Sequence, residues 1–147
     1  MAAGLNELLD ASRAAAGLDL KALIDQPGRQ MDAAAFRAFV SDVRLWAMAT
    51  TGRNGSPHIA PVHLSLADDD ALQMTIHSES VRMRDIERDP RVAFTAWADG
   101  GRMAIIYGEA QVIPGSEGVS GAGGREKPTA RLRIEPARIY AMDPQRI

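Results

Sequence analysis

Cysteine is absent from this chain of 147 residues. Disulfide bonds, thiolate metal sites and a cysteine nucleophile are therefore excluded. Aromatic residues make up only 5% of the sequence, which is too few for a platform on which single-stranded nucleic acid stacks. Acidic residues outnumber basic ones by 19 to 17, whereas binding to a phosphate backbone needs a basic surface. The sequence predicts no nucleic-acid partner.

Long apolar runs are missing as well. A membrane-spanning helix needs roughly 18 consecutive apolar residues, and no such stretch occurs. The N-terminus also lacks the basic region and apolar core of a signal peptide. With 46% hydrophobic and 24% charged residues, the composition is that of a soluble globular protein. We expect a cytoplasmic protein without a membrane partner, with a helical extension over residues 1–30 and a main domain over residues 31–147.

Helical periodicity is confined to the first third of the sequence. Leucines at helical spacing predict one or two short helices within residues 5–25, packed on the outside of the main domain. Asp32 can cap a further helix. The buried face of that helix repeats at i, i+3, i+4 and i+7, at Phe36, Phe39, Val40 and Val43.

After residue 44 the hydrophobic period changes to two, which indicates strands with one buried face. Six strands are predicted, over Leu45–Thr51, Ser56–Leu66, Ala71–His77, Arg91–Ala98, Arg102–Ile113 and Thr129–Tyr140. Asn54-Gly55 marks a hairpin in which both residues take positive φ. The acidic turn Asp68–Asp70 is expected to be solvated, and residues 78–88 to form a short helix that ends before Pro90.

This order of elements predicts a fold that is mainly β with some α. We expect a small closed barrel of six antiparallel strands with flanking N-terminal helices and one short inserted helix, because closure of the sheet removes its edges. The glycine-rich segment Pro114–Pro128 is longer than an ordinary connection. It is expected to be a mobile loop, and Gly115–Gly124 to act as a lid or to be slack.

The common catalytic signatures do not occur. The sequence contains no G-x-S-x-G, no G-x-G-x-x-G and no phosphate-binding GK[ST] loop. His58 and His63 are five residues apart on one predicted strand, so they point to opposite faces. His63 and His77 alone make a weak metal site. We predict no metal centre and assign no catalytic residue.

One local arrangement favours anion binding. Ser80 and Arg82 begin the short helix, where free backbone amides and the helix dipole attract negative charge. An arginine there can add two hydrogen bonds to a phosphate. The alternative for these two residues is an ordinary N-cap followed by a solvated arginine.

Within residues 33–141, four sequence segments, one of which contains Ser80 and Arg82, together form a recognisable motif. They are LWAMATT with NGSPHIAPV at 45–62, SVRMRDIERDPRV at 80–92, YGEAQV at 107–112 and RIEPARI at 133–139. In order and spacing they resemble the pyridoxamine 5′-phosphate oxidase-like, FMN-binding split β-barrel family. Arg82 stands where many members carry lysine, and Asp85 replaces a frequent asparagine near the phosphate. The C-terminal arginine and histidine elements of the namesake oxidase are missing, so the resemblance is to its general-stress-protein and flavin-reductase-like branch.

The resemblance implies a homodimer with FMN in two symmetric clefts at the subunit interface. It assigns the FMN phosphate to Ser80 and Arg82. It places the isoalloxazine beside Ile59, Ala60, Pro61 and Val62, and the ribityl chain and ring edge beside Thr75, Ile76 and His77. Trp97 is expected either to cover the ring or, the favoured alternative, to pack in the protein. Trp46 is expected in the core.

The activity that the resemblance implies is an FMN-dependent oxidoreductase. It would pass hydride or electrons between a reduced nicotinamide and a small-molecule substrate. Three alternatives stay open at this point. The same fold can bind F420 or haem, it can hold flavin without turnover as a stress-response protein, or it can be an interaction domain without a cofactor.

Overall fold

Eight antiparallel strands and four α-helices occur in the computed structural model, which describes residues 4–121 and 125–144. The helices are α1 (Leu5–Ala15), α2 (Leu18–Ile24), α3 (Ala33–Asp42) and α4 (Val81–Arg88). The first strands are β1 (Trp46–Thr51), β2 (Pro57–Val62), β3 (Ser65–Leu66) and β4 (Leu72–His77). The remaining strands are β5 (Arg91–Trp97), β6 (Met103–Val112), β7 (Gly118–Ser120) and β8 (Lys127–Met142). The predicted mainly β fold with an inserted helix is confirmed.

The strands form a single sheet in the order β2-β1-β5-β6-β8-β4-β3, with β7 paired to β8. The two ends of this order, β2 and β3, are consecutive in the chain. His63 and Leu64 alone join them, so the sheet curls until its two edges approach each other. The predicted single strand Ser56–Leu66 is therefore wrong in one respect. It divides at these two residues because its first half pairs with β1 and its second half with β4.

The alternation read from the sequence is confirmed by burial. On β4, Leu72, Met74 and Ile76 are buried, as are Ala130, Leu132 and Ile134 on the facing part of β8. The two sets lie opposite each other in the register of the pair. Trp46 is 1% exposed and packs edge-on against Phe39 of α3. This interior fills the barrel and holds β2 and β4 in place.

The N-terminal helices pack on the sheet, and a buried serine attaches them. Ser12 interrupts the apolar face of α1 and is 3% exposed. Its Oγ accepts a hydrogen bond of 3.0 Å from the backbone N–H of Ile139 on β8. Asp32 caps α3 as predicted, because its Oδ1 accepts a 2.8 Å bond from the N–H of Ala35. Within residues 4–121 and 125–144, no helix is long and apolar enough to cross a membrane.

The two predicted polar turns differ in detail from expectation. In the β1–β2 hairpin Gly55 has positive φ, at 78°, but Asn54 does not. The turn is a three-residue loop, Arg53–Gly55, closed by the 2.7 Å bond from Gly52 N–H to the Ser56 carbonyl. The acidic turn is exposed at Asp68 and Asp69 as expected, and two of its carboxylates also form ion pairs. Arg37 of α3 binds Asp70 through two bonds of 2.7 Å, and Arg133 of β8 binds Asp69.

The glycine-rich segment contains a strand that the sequence did not predict. β7 pairs with the start of β8, with Gly118 opposite Thr129 and Ser120 opposite Lys127. Gly115 makes the reversal possible at a φ of 73°. The expected loop is therefore partly a strand, because Gly118–Ser120 pair with β8. Residues 122–124 of the expected lid lie outside the described residues.

A bulge in the β6–β8 pair makes Gly108 a sensitive position. Tyr107 lies opposite Arg138 but Gly108 lies opposite Pro136, so Ala137 is the extra residue. A Cβ on Gly108 would overlap the backbone carbonyl oxygen of Glu135. We expect Gly108→Ala to lower the free energy of unfolding by about 1–3 kcal/mol, the usual cost of overpacking.

Urea denaturation followed by circular dichroism measures this effect. Gly121→Ala is the matched control, because a Cβ there meets nothing within 4 Å. Equal stability of the two variants would show that the bulge relaxes around the added methyl group.

Candidate functional site

The candidate site is a cleft of about 490 Å³ between the end of β2, β3 and the β4–β8 pair, with α4 at one end. Its lining is half polar. The cleft is lined by Pro61, Val62, His63, Leu64, Ser65, Gln73, Met74, Thr75, Ile76, His77, Arg82, Ser120, Thr129 and Arg131. A volume of this size is in the range of small-molecule and cofactor pockets.

Arg82 brings a positive charge into this cleft from the first turn of α4. The helix begins here because Ser80 is its N-cap, and the Ser80 Oγ accepts a 3.2 Å bond from the N–H of Met83. The guanidinium of Arg82 forms no hydrogen bond or ion pair with any described residue. A side chain with five donors and no acceptor is therefore available to an anionic ligand.

His77 supplies a second unsatisfied group. It ends β4 opposite Thr129 of β8, and its side chain lines the cleft. Its Nδ1 is buried and has no hydrogen-bond partner among the described residues. A buried polar atom without a partner is costly, and a bound group that bonds to this nitrogen would remove the cost. Arg82 and His77 together fit a ligand that carries a phosphate and further polar atoms.

The structure divides the sequence-predicted residues among three places. Pro61, Val62, Thr75, Ile76, His77 and Arg82 all line the cleft. Ile59 and Ala60 line a neighbouring groove, and Pro61 lines both. Ser80 does not line the cleft, because its hydroxyl is turned to the helix as the N-cap.

Two polar residues of the cleft were missed by sequence reasoning. Arg131 lies opposite Thr75 in the β4–β8 ladder and donates a hydrogen bond to Gln73. His63, at the junction between β2 and β3, was weighed only as a metal ligand. For Arg131 the missing information was the register that brings β8 beside β4.

The neighbouring groove is almost entirely apolar and has a volume of about 360 Å³. It lies across β2, β1 and β5, where Ile59, Leu45 and Trp97 are 75%, 57% and 74% exposed. The favoured expectation that Trp97 packs in the protein is wrong. Along β5, Val92, Phe94 and Ala96 are buried, and Trp97 lies on the opposite, exposed face of the strand.

A buried carboxylate lies on another side of α4. Asp85 is fully buried and accepts bonds of 2.8 Å from Thr50 Oγ1, 2.6 Å from His58 Nδ1 and 2.7 Å from Arg88 Nη2. Burial alone would raise the pKa of Asp85. The hydrogen bonds from His58, Thr50 and Arg88 outweigh burial and hold the pKa below its ordinary value.

The resemblance places Asp85 near the phosphate assigned to Arg82, but the structure places Asp85 outside the cleft that Arg82 lines. Asp85 does not line the cleft, and its charge is neutralised inside the protein. The carboxylate instead ties α4 to β1 and β2, through Thr50 and His58. Within the described ranges, no group of three or more histidine, aspartate or glutamate side chains is placed to hold a metal ion.

Comparison with known proteins gives both a family and a fold. Residues 33–143 match the family model described as pyridoxamine 5′-phosphate oxidase. No curated protein matches the sequence significantly.

Three solved structures illustrate the shared fold. A conserved hypothetical protein from Mycobacterium tuberculosis has a TM-score of 0.67 at 19% identity, over 82% of this chain and 90% of that one. A structure described as F420 reductase has a TM-score of 0.57 at 16% identity, over 70% and 94%. A haem storage protein from Vibrio cholerae has a TM-score of 0.59 at 12% identity, over 75% and 94%.

Proposed function

This chain belongs to the pyridoxamine 5′-phosphate oxidase family, and on that premise we propose that its cleft binds a phosphate-bearing flavin, FMN. The observation that carries the proposal is the pair of unsatisfied groups in one cavity. The guanidinium of Arg82 has no acceptor among the described residues, and the buried Nδ1 of His77 has no partner. An anionic, hydrogen-bonding ligand satisfies both.

Each predicted residue has a task in this proposal. Arg82 holds the phosphate by charge and by paired hydrogen bonds. Ser80 acts by capping α4 and so by aiming Arg82. In this proposal Thr75, Ile76 and His77 line the ribityl chain and ring edge, and Pro61 and Val62, which also line the cleft, flank the isoalloxazine. Ile59 and Ala60 belong to the apolar groove that Pro61 connects to the cleft.

The proposed activity is that of an oxidoreductase acting on a small-molecule substrate, with a reduced nicotinamide as electron donor. When bound, FMN supplies the hydride and electron transfer, and the protein supplies binding, orientation and exclusion of water. This division of labour requires no acid–base side chain.

F420 and haem are the competing cofactors, because structural neighbours are described as an F420 reductase and a haem storage protein. Haem iron commonly takes a histidine ligand, and His63 and His77 both line the cleft. The visible absorption spectrum of the purified protein, followed by titration with FMN, F420 and haem, separates the three.

We expect saturable quenching of FMN fluorescence with a micromolar or tighter dissociation constant. Binding of F420 or haem in place of FMN would overturn the choice of cofactor. Failure of all three to bind would overturn the cofactor site and leave an interaction domain. Oxidation of NADH or NADPH by the FMN-loaded protein then distinguishes an oxidoreductase from a protein that stores flavin.

We also propose that a second copy of the chain covers the apolar groove. Leu45, Ile59 and Trp97 expose large apolar surfaces beside the cleft, and a contiguous exposed apolar patch commonly marks an interface. Since Pro61 lines both cavities, a partner on the groove would also border the cofactor cleft. The proposed assembly is a homodimer with the cofactor at its interface.

Sedimentation equilibrium tests the homodimer. We expect a dimer for the wild type and a monomer for Ile59→Asp, because the interface would bury the new charge. Leu18→Asp is the matched control, since Leu18 is 88% exposed on α2, away from the groove. A wild-type monomer at tens of micromolar, or a dimer that survives Ile59→Asp, would contradict the proposed interface.

A further inference from the structure

A second cavity, of about 440 Å³, lies between α4 and the β1–β2 hairpin. It is lined by Arg53, His58, Val81, Arg84, Asp85 and Arg88. None of these residues lines the cofactor cleft. The two cavities lie on different faces of α4, because Arg82 points into one and Arg84 into the other.

The charges in this second cavity are unbalanced. Three guanidinium groups face a single carboxylate, that of Asp85. This carboxylate already accepts hydrogen bonds from Thr50, His58 and Arg88. Arg53 and Arg84 form no hydrogen bond or ion pair through their side chains with any described residue. The net positive charge contrasts with the formal charge of −2 on the whole chain.

The arginines are also arranged so that an anion would relieve a repulsion. Arg84 and Arg88 are separated by four residues on α4, where like charges destabilise a helix. Asp85 fixes the side chain of Arg88 through a 2.7 Å bond. Arg53 reaches the cavity from the three-residue hairpin loop that Gly55 allows. An acceptor with several oxygens placed among the three arginines would bond to groups from both elements.

We propose that this second cavity binds the phosphate group of a small phosphorylated ligand. A phosphate carries several acceptor oxygens and a charge of up to −2, which suits guanidinium forks better than a carboxylate does. The volume leaves room for more than a bare phosphate. This site is additional to the cofactor cleft, and its occupancy does not depend on the identity of the cofactor.

Titration with inorganic phosphate, followed by two-dimensional ¹H–¹⁵N NMR at constant ionic strength, tests the site. The backbone amides and arginine Nε–H groups of residues 53, 84 and 88 report the second cavity, and those of residues 77 and 82 report the cleft. We expect saturable shifts at the first set. Arg53→Ala and Arg84→Ala should each weaken this binding at least fivefold.

Arg125→Ala is the matched control, because it removes the same charge from an exposed residue outside both cavities. Shifts that stay linear with phosphate, or equal affinities in Arg84→Ala and Arg125→Ala, would overturn the proposal. A parallel titration with AMP identifies the source of the phosphate. If AMP binds the second cavity more tightly than phosphate does, its ligand is a nucleotide. If phosphate binds more tightly, the ligand is a smaller phosphorylated molecule.

Discussion

Replacing Asp85 with alanine is expected to lower the free energy of unfolding by about 3–5 kcal/mol. Removal of one partner from a buried charged cluster has this cost, because the remaining groups lose their acceptor. Thr50 is 4% exposed and would keep a buried hydroxyl without its present partner. A domain of ordinary stability has about 5–15 kcal/mol in total, so the variant should unfold at much lower urea concentration.

Asp85→Asn separates the charge of this side chain from its shape. The amide oxygen can still accept from Thr50 and His58, but the amide nitrogen would face the Nη2 of Arg88, which is also a donor. We expect a loss of about 1–3 kcal/mol, the value of a hydrogen bond between charged groups. Urea denaturation at pH 7 measures both variants. An alanine variant as stable as the wild type would show that the cluster contributes nothing net to folding.

The stability of the wild type relative to Asp85→Asn should depend on pH, because the pKa of Asp85 is lowered in the folded protein. A group whose pKa is lower in the folded state contributes stability above its unfolded pKa, ~3.9 for aspartate, and loses it as the pH falls through the folded value. Asparagine does not titrate. The difference in stability between the wild type and Asp85→Asn should therefore shrink as the pH falls below about 4.

Arg82→Ala is expected to weaken FMN binding at least tenfold. The lost interaction is a charge-assisted hydrogen bond to a phosphate, which is worth about 1.5–3 kcal/mol. The other described arginine that lines the cleft, Arg131, is already hydrogen-bonded to Gln73. Fluorescence titration measures the dissociation constant. Stability should change little, because Arg82 forms no bond within the described protein.

Arg82→Lys keeps the positive charge and should retain most of the affinity, with the loss limited to the paired geometry of the guanidinium. Arg125→Ala controls for the change in net charge. If Arg82→Ala binds FMN as tightly as the wild type, the phosphate is held elsewhere. Arg131, which also lines the cleft, would then be the next residue to replace.

The sequence by itself determined the helices, most of the strands and the alternating apolar residues that form the core. Alternation of period two along Leu72–His77 and Thr129–Ile134 assigned the buried and exposed sides of both strands, since successive side chains in a strand point to opposite faces. Asp32 and Ser80 marked the starts of two helices, because their side chains accept bonds from free amides of the first turn. These signals are local, so they can be read without knowing what lies nearby in space.

The tertiary structure alone decided which distant residues meet. Arg131 joins the cleft because β8 pairs with β4, and Asp85 binds Thr50 and His58 because α4 packs on the β1–β2 hairpin. Nothing in the local sequence specifies that register or that packing, which depend on how the whole sheet curls. The same reason explains the errors over Ser56–Leu66 and Trp97. Each was read correctly as a local pattern and was placed wrongly relative to residues far away in the chain.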